Sequence, residues 1–200
     1  MTQTEFRFGT CTVPDGKLGP WTIQTFTLSK EDVLLSNLRA LRDNPIMYCP
    51  PGTYRRLTHK LHGLVMSNTP MEIATNMEAY IQAEGSVLIN GLGMGMLLDG
   101  LLHKANVEQV HVIEIDAQLI KLVGKHYKNN PKVKITHADA YTYQPSKDER
   151  YDYIWHDIWY ELDAGNFKSM AKLTRKWAGR SRLGQGVWSR EELRAEMRRS

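Results

Sequence analysis

The chain has 200 residues, a 42% hydrophobic content and a formal net charge of +4, with a sequence pI near 9.0. That length suits one domain or one domain with a small appendage, and the apolar fraction is enough for a packed core. No apolar run is long enough to span a membrane, MTQTEFRFGT lacks the pattern of a secretory signal, and Cys11 and Cys49 form neither a disulfide framework nor a metal motif, so a cytoplasmic protein is expected.

The elements follow from local signals. VPDGKLGPW holds two glycine-containing turns between Thr/Val-rich runs and predicts a β-hairpin. SKEDVLLSNLRALRDN opens with Ser29 before an acidic first turn and predicts a helix that stops before Pro45. CPPGTYRR reads as a turn and HKLHGLVMS as a short strand, alone or after a turn. A second helix is expected from Thr69–Pro70 to about Ala83, with Thr69 and Glu72 in capping-box positions and Gly85 ending it.

From Gly85 the rhythm alternates. SVLIN, QVHVIEID, KVKITHAD and RYDYIWHDIW predict strands, and GMLLDGLLHKA, AQLIKLVGKHYKN and NFKSMAKLTRKWAGR predict helices. QGVWS is expected as a short last strand and REELRAEMRRS as a last helix. Strands alternating with helices predict an α/β fold, a parallel sheet with helices on both faces, preceded by a small hairpin and helix segment. The division expected is residues 1–68 and 69–200. Only about forty residues follow Asp157, room for one more strand, so the sheet is expected to be abbreviated, or completed by the N-terminal hairpin or a partner subunit.

Ligands of such sheets bind at the carboxyl ends of the strands. There the chain places VLINGLGMGMLL, with Gly91, Gly93 and Gly95 alternating. A dinucleotide fingerprint, G-x-G-x-x-G, would need glycine where Met96 stands, so the loop suits an adenosine-like ligand more than a pyrophosphate. Glu114 ends the next strand, where a carboxylate can accept from both ribose hydroxyls, with Ile115 after it. Asp139 can accept from an adenine amino group, and Ala140 leaves room beside the ring. Asp157 ends the fourth strand.

These stretches resemble a class I S-adenosylmethionine-dependent methyltransferase, closest to the spermidine synthase-like branch. VLINGLGMG is similar to the first motif, HVIEID to the second, THADAYTY to the third and YDYIWHDIW to the fourth. LHGLVMSNTPMEIATN is similar to the segment before the Rossmann-like domain of spermidine synthases, and the whole chain resembles bacterial and phage methyltransferase-like proteins. The resemblance implies S-adenosylmethionine or its decarboxylated form as cofactor. Glu114 would hold the ribose, Asp139 and Ala140 the adenine, and the glycine loop the amino-acid tail. Spermidine synthases carry an acid inside the loop, where Met94 stands, and a second acid after the one matched by Asp157, for which Glu161 and Asp163 are the nearest substitutes.

Asp157 is the candidate general base, its pKa raised by Trp155, Ile158 and Trp159 around it. His156 is a second candidate, although strand alternation sends it to the opposite face. His156, Trp159, Tyr160 and Glu72 are expected on the substrate side. His59 and His62 lack a third ligand for a metal and read as packing histidines. No N-P-P-Y or D-P-P-Y follows the fourth strand, which weighs against DNA adenine methylation. Nucleic acid is nonetheless a partner that the basic C-terminal end could serve. The leading reading is methyl transfer to a small-molecule or unidentified acceptor. Alternatives are aminopropyl transfer to a polyamine and a non-catalytic nucleoside-binding or assembly protein. The abbreviated sheet makes a homo-oligomer plausible.

Overall fold

The computed structural model describes residues 8–160, 163, 165–190 and 193–194. Two sheets organise it. The first is antiparallel, with β1 (Gly16–Leu18), β2 (Trp21–Leu28), β3 (Gly52–His59) and β4 (Gly63–Ser67) in sequential order. The expected hairpin is β1 and β2, paired Leu18 to Trp21 across a turn at Gly19 and Pro20. CPPGTYRR is a turn only at its start: from Gly52 it runs as β3, paired along its whole length with β2. Thr53, Tyr54 and Thr58 are β-branched or aromatic residues that fit a pleated surface better than a loop.

Between β2 and β3 runs α1 (Lys30–Asp43), opened by a full capping box. Ser29 Oγ accepts from the Asp32 N–H at 3.1 Å, and Asp32 Oδ2 accepts from the Ser29 N–H at 2.7 Å. The second expected helix is broken in two, α2 (Pro70–Thr75) and α3 (Met77–Gln82). Buried Asn76 turns its side-chain amide onto the Glu72 carbonyl at 3.1 Å and so competes with the helical ladder. The capping box expected there does not form. Thr69 Oγ1 pairs with Ser67 Oγ at 2.9 Å, and Glu72 is buried inside the fold.

The second sheet is parallel throughout: β5 (Gly85–Asn90), β6 (Val107–Glu114), β7 (Val133–His137), β8 (Tyr151–His156) and β9 (Ser181–Val187), in the order β7-β6-β5-β8-β9. Strand order reverses at β5, so the crevice between the ends of β5, β6 and β8 is the expected ligand position. Crossovers α4 (Met96–Leu102) and α5 (Ala117–Leu122) cover one face, where Leu98, Leu101 and Leu119 pack on Val87, Ile89, Val110 and Val112. On the other face α6 (Asn166–Trp177) buries Leu173 and Trp177 against Leu88, Ile113 and Ile154. The link from β7 to β8 carries no helix. Among the described residues one strand follows β8, as the chain length allows, and it is longer than expected. The N-terminal hairpin does not complete the parallel sheet. It belongs to its own sheet, whose Trp21, Ile23 and Leu57 join the core beside α4 and α5. REELRAEMRRS falls largely outside the described residues, as does Glu161.

Candidate active site

At the carboxyl ends of β5, β6 and β8 lies a cavity of about 300 Å³, the size of a small-ligand pocket. The glycine loop forms its floor. Gly91, Gly93 and Gly95 have φ of +104°, +53° and +83°, a region that costs L-residues free energy. At Gly91 the reason is a close approach. Its N–H donates to the Ile113 carbonyl at 2.9 Å, the Asp157 N–H donates to the Asn90 carbonyl at 2.8 Å, and a Cβ there would run into the Asp157 carbonyl oxygen. Gly91 therefore fixes where Asp157 sits. Gly95 caps α4 against the Tyr127 ring and does not line the cavity.

Glu114 ends β6 with both carboxylate oxygens held: Oε2 accepts from the Leu92 N–H at 2.9 Å and Oε1 from the Asp116 N–H at 2.8 Å. Burial pushes its pKa up, and the Asp116 and Leu92 amides work against that. The Ile115 amide also favours its charged form, so the carboxylate is firmly oriented, and it keeps acceptor capacity for a donor from the cavity. That chemistry fits the vicinal hydroxyls of a ribose. Ile115, 60% exposed, lies on the rim. Asp139, turned by the Tyr141 N–H at 2.7 Å, and buried Ala140 line the neighbouring wall.

Asp157, Trp159, Tyr160 and Glu72 complete the enclosure. Asp157 keeps part of its surface open to the cavity, yet it lies deep in the fold. Its pKa is raised well above the usual carboxylate range, first by burial and then by the Glu72 charge. Glu72, 7% exposed, is pushed up to about 7, chiefly by burial, with the Ser67 backbone acting in the opposite direction. Trp159 Nε1–H donates to Ser169 Oγ at 2.8 Å, which sets the indole plane. Tyr160 is backed by an imidazole: its ring stacks on His62 at 4.4 Å, and His62 stacks on His59 at 4.7 Å. Burial is the main reason the Tyr160 hydroxyl pKa is raised, with the Glu114 and Asp116 charges adding to it.

His156 does not reach the cavity. Strand alternation sends it to the opposite face, fully buried, with Nδ1 2.8 Å from Asn90 Nδ2 and Nε2 2.9 Å from Gln185 Oε1. Gln185 donates its own amide to the Thr174 carbonyl at 3.0 Å, which turns its oxygen toward His156 and fixes the Nε2–H tautomer. Burial drives the pKa of this histidine down to about 4. It props the ends of β5, β8 and β9 as a neutral group. Asp163 is exposed and accepts from the Gly165 N–H at 2.6 Å.

Sequence reasoning missed Met66, Asn76, Trp21 and Trp188, all of which line the cavity. Met66 Sδ accepts from the Met94 N–H at 3.1 Å and so holds the glycine loop. Trp188 Nε1–H donates to Thr75 Oγ1 at 3.1 Å, joining β9 to α2. Nothing in the local pattern of these residues marks them, because they arrive from four different elements.

The model of the family described as "Ribosomal RNA adenine dimethylase" matches residues 51–177, more than half of the chain. No curated protein matches. Among solved structures, the YcgJ protein from Bacillus subtilis is 17% identical with a TM-score of 0.44, over 57% of this chain and 49% of that one. The 23S rRNA methyltransferase ErmE is 24% identical with a TM-score of 0.39, over 50% of this chain and 38% of that one. Spermidine synthase from Thermotoga maritima is 21% identical with a TM-score of 0.37, over 51% of this chain and 42% of that one. The chain thus spans about half or less of the structures it matches. S-adenosylmethionine is the cofactor that goes with the matched family. The chain belongs to the ribosomal RNA adenine dimethylase family, within the class I S-adenosylmethionine-dependent methyltransferases.

Proposed function

We propose that this protein is an S-adenosylmethionine-dependent methyltransferase whose acceptor is an amino nitrogen, that of an adenine in RNA. The observation that carries the reading is the pair of carboxyls, Asp157 and Glu72, enclosed with Trp159 and Tyr160 beside the glycine loop. Two carboxyls this close and this buried do not ionise together, so one remains able to take a proton near neutral pH. The tetrapeptide Asp157-Ile158-Trp159-Tyr160 keeps the acid and the aromatic of D-P-P-Y and replaces both prolines. The expectation against DNA adenine methylation leaves an adenine of RNA open as acceptor, and the net charge of +4 suits a polyanion.

The bound cofactor supplies an electrophilic methyl group on a sulfonium. Glu114 orients the ribose, Gly91 and Gly93 let the backbone lie against the ligand, and Asp139 with Ala140 receives the adenine. Trp159 and Tyr160 hold the planar acceptor. The ionised member of the Asp157–Glu72 pair accepts a hydrogen bond from the acceptor's amino group and takes the proton released as the nitrogen is alkylated. The described residues before Thr69 act as the roof over the cavity and those from Thr69 on as the cofactor-binding unit, with β3 and β4 contributing Leu57, Val65 and Met66.

The same carboxyl pair favours a second reading, an aliphatic amine as acceptor. Met94 in the loop, where an acid would hold a decarboxylated tail, places aminopropyl transfer behind methyl transfer. The test is incubation with methyl-labelled S-adenosylmethionine and either total RNA or a panel of polyamines. Label is expected in N6-methylated adenosine after nuclease digestion, and Asp157→Asn should lower kcat by about 100-fold while S-adenosylhomocysteine still binds. Label in the amines alone would replace the acceptor. Cofactor binding with no methyl transfer to either, and no aminopropylated amine from decarboxylated S-adenosylmethionine, would favour a non-catalytic binding protein.

A further inference from the structure

Helix α1 hides only a narrow face. Val33, Asn37 and Ala40 are buried, whereas Leu34, Leu35, Leu38 and Leu41 are 57%, 68%, 58% and 62% exposed. At 100° per residue these leucines form one continuous stripe, turned away from the buried face. Ile46 and Met47, 38% and 50% exposed, extend the apolar surface past the helix end. Scattered surface leucines need no explanation, but a contiguous patch of this kind marks an interaction site.

The charges on the stripe say what covers it. Glu31 lies on it one turn before Leu34 and Leu35, and Arg42 one turn after Leu38, so an acid and a base bracket the leucines on the same helix face. Two such helices laid antiparallel about a two-fold axis between Leu35 and Leu38 bring Glu31 of each against Arg42 of the other. A parallel pair would oppose like charges. Arg42 already bonds the carboxylate of Asp43 at 2.6 Å, which holds its side chain without using all five of its donors. A lipid surface would instead favour basic residues alone at both ends of the stripe, whereas here Glu31 stands beside Lys30 at the first end.

We propose that α1 is a homodimer interface, pairing antiparallel with α1 of a second copy of this chain. The pairing is isologous, each leucine stripe packing on its equivalent. It lies on the antiparallel-sheet half of the molecule and adds no residue to the cavity, so it stands whatever the acceptor proves to be.

Sedimentation velocity on the full chain tests it. A dimer is expected at micromolar concentration, and the double variant Leu35→Asp/Leu38→Asp should sediment as a monomer with unchanged circular dichroism, because both side chains are exposed. Glu31→Arg should weaken the dimer by about tenfold, and adding Arg42→Glu to it should restore the parent affinity. A parent that is monomeric at about 50 μM, a dimer indifferent to the leucine changes, or a monomer that floats with phosphatidylglycerol vesicles through the same leucines would overturn the proposal.

Discussion

Gly91→Ala isolates the physics that shapes the site. Gly91 has a φ of +104°, and a Cβ there would strike the Asp157 backbone carbonyl, which cannot swing aside as a flexible side chain would. The left-handed conformation alone costs an alanine about 1–2 kcal/mol, and forcing extra volume into a packed site costs about 1–3 kcal/mol more. Relief is restricted, because the Asp157 N–H is tied to the Asn90 carbonyl and the Gly91 N–H to the Ile113 carbonyl. A loss of about 3 kcal/mol is expected, equivalent to a fall in Tm of about 6–12 °C for a chain of this size. Gly63→Ala is the control: its φ is +71°, but nothing lies within 4 Å of the added carbon, so it should show the conformational cost alone. Urea and thermal unfolding of the two variants side by side read the difference. If Gly91→Ala loses no more than Gly63→Ala, the end of β8 yields freely and the close approach does not set the position of Asp157.

Two further outcomes follow from the carboxyls. Glu72 has a folded pKa of about 7 against an ordinary 4.5, so the folded state binds its proton more tightly than the unfolded state does. Its contribution is fully present below pH 4.5 and is lost as the pH rises through 7, by about 3 kcal/mol in all. Glu72→Gln should therefore gain stability over the parent at pH 8 and none at pH 4, in urea melts across that range; equal gains at both would refute the burial argument. Glu114→Gln keeps one acceptor oxygen and loses the charge. It should weaken S-adenosylhomocysteine by about 10–100-fold in calorimetry, and unchanged binding would remove Glu114 from the ribose site.

The sequence by itself determined the alternating half of the molecule. Strand and helix periodicity from Gly85 onward, the glycine loop, and the acids closing β6 and β8 are local signals, and parallel sheets put all strand ends on one edge. It also determined α1, because Ser29 and Asp32 lie three residues apart and cap it without help. What it could not determine is whatever depends on which segments meet. The break at Asn76 follows from its burial, and the neutral, fully bonded state of His156 follows from the partners that meet it on the face to which strand alternation sends it, Asn90 and Gln185. Glu72 occupies a capping-box position in the sequence, yet the packing of the chain encloses it beside Asp157 on the cavity wall, where burial raises its pKa and no side-chain cap forms at the helix end. Tertiary structure decided those residues because the free energies of burial and close approach exceed the local preferences that a sequence displays.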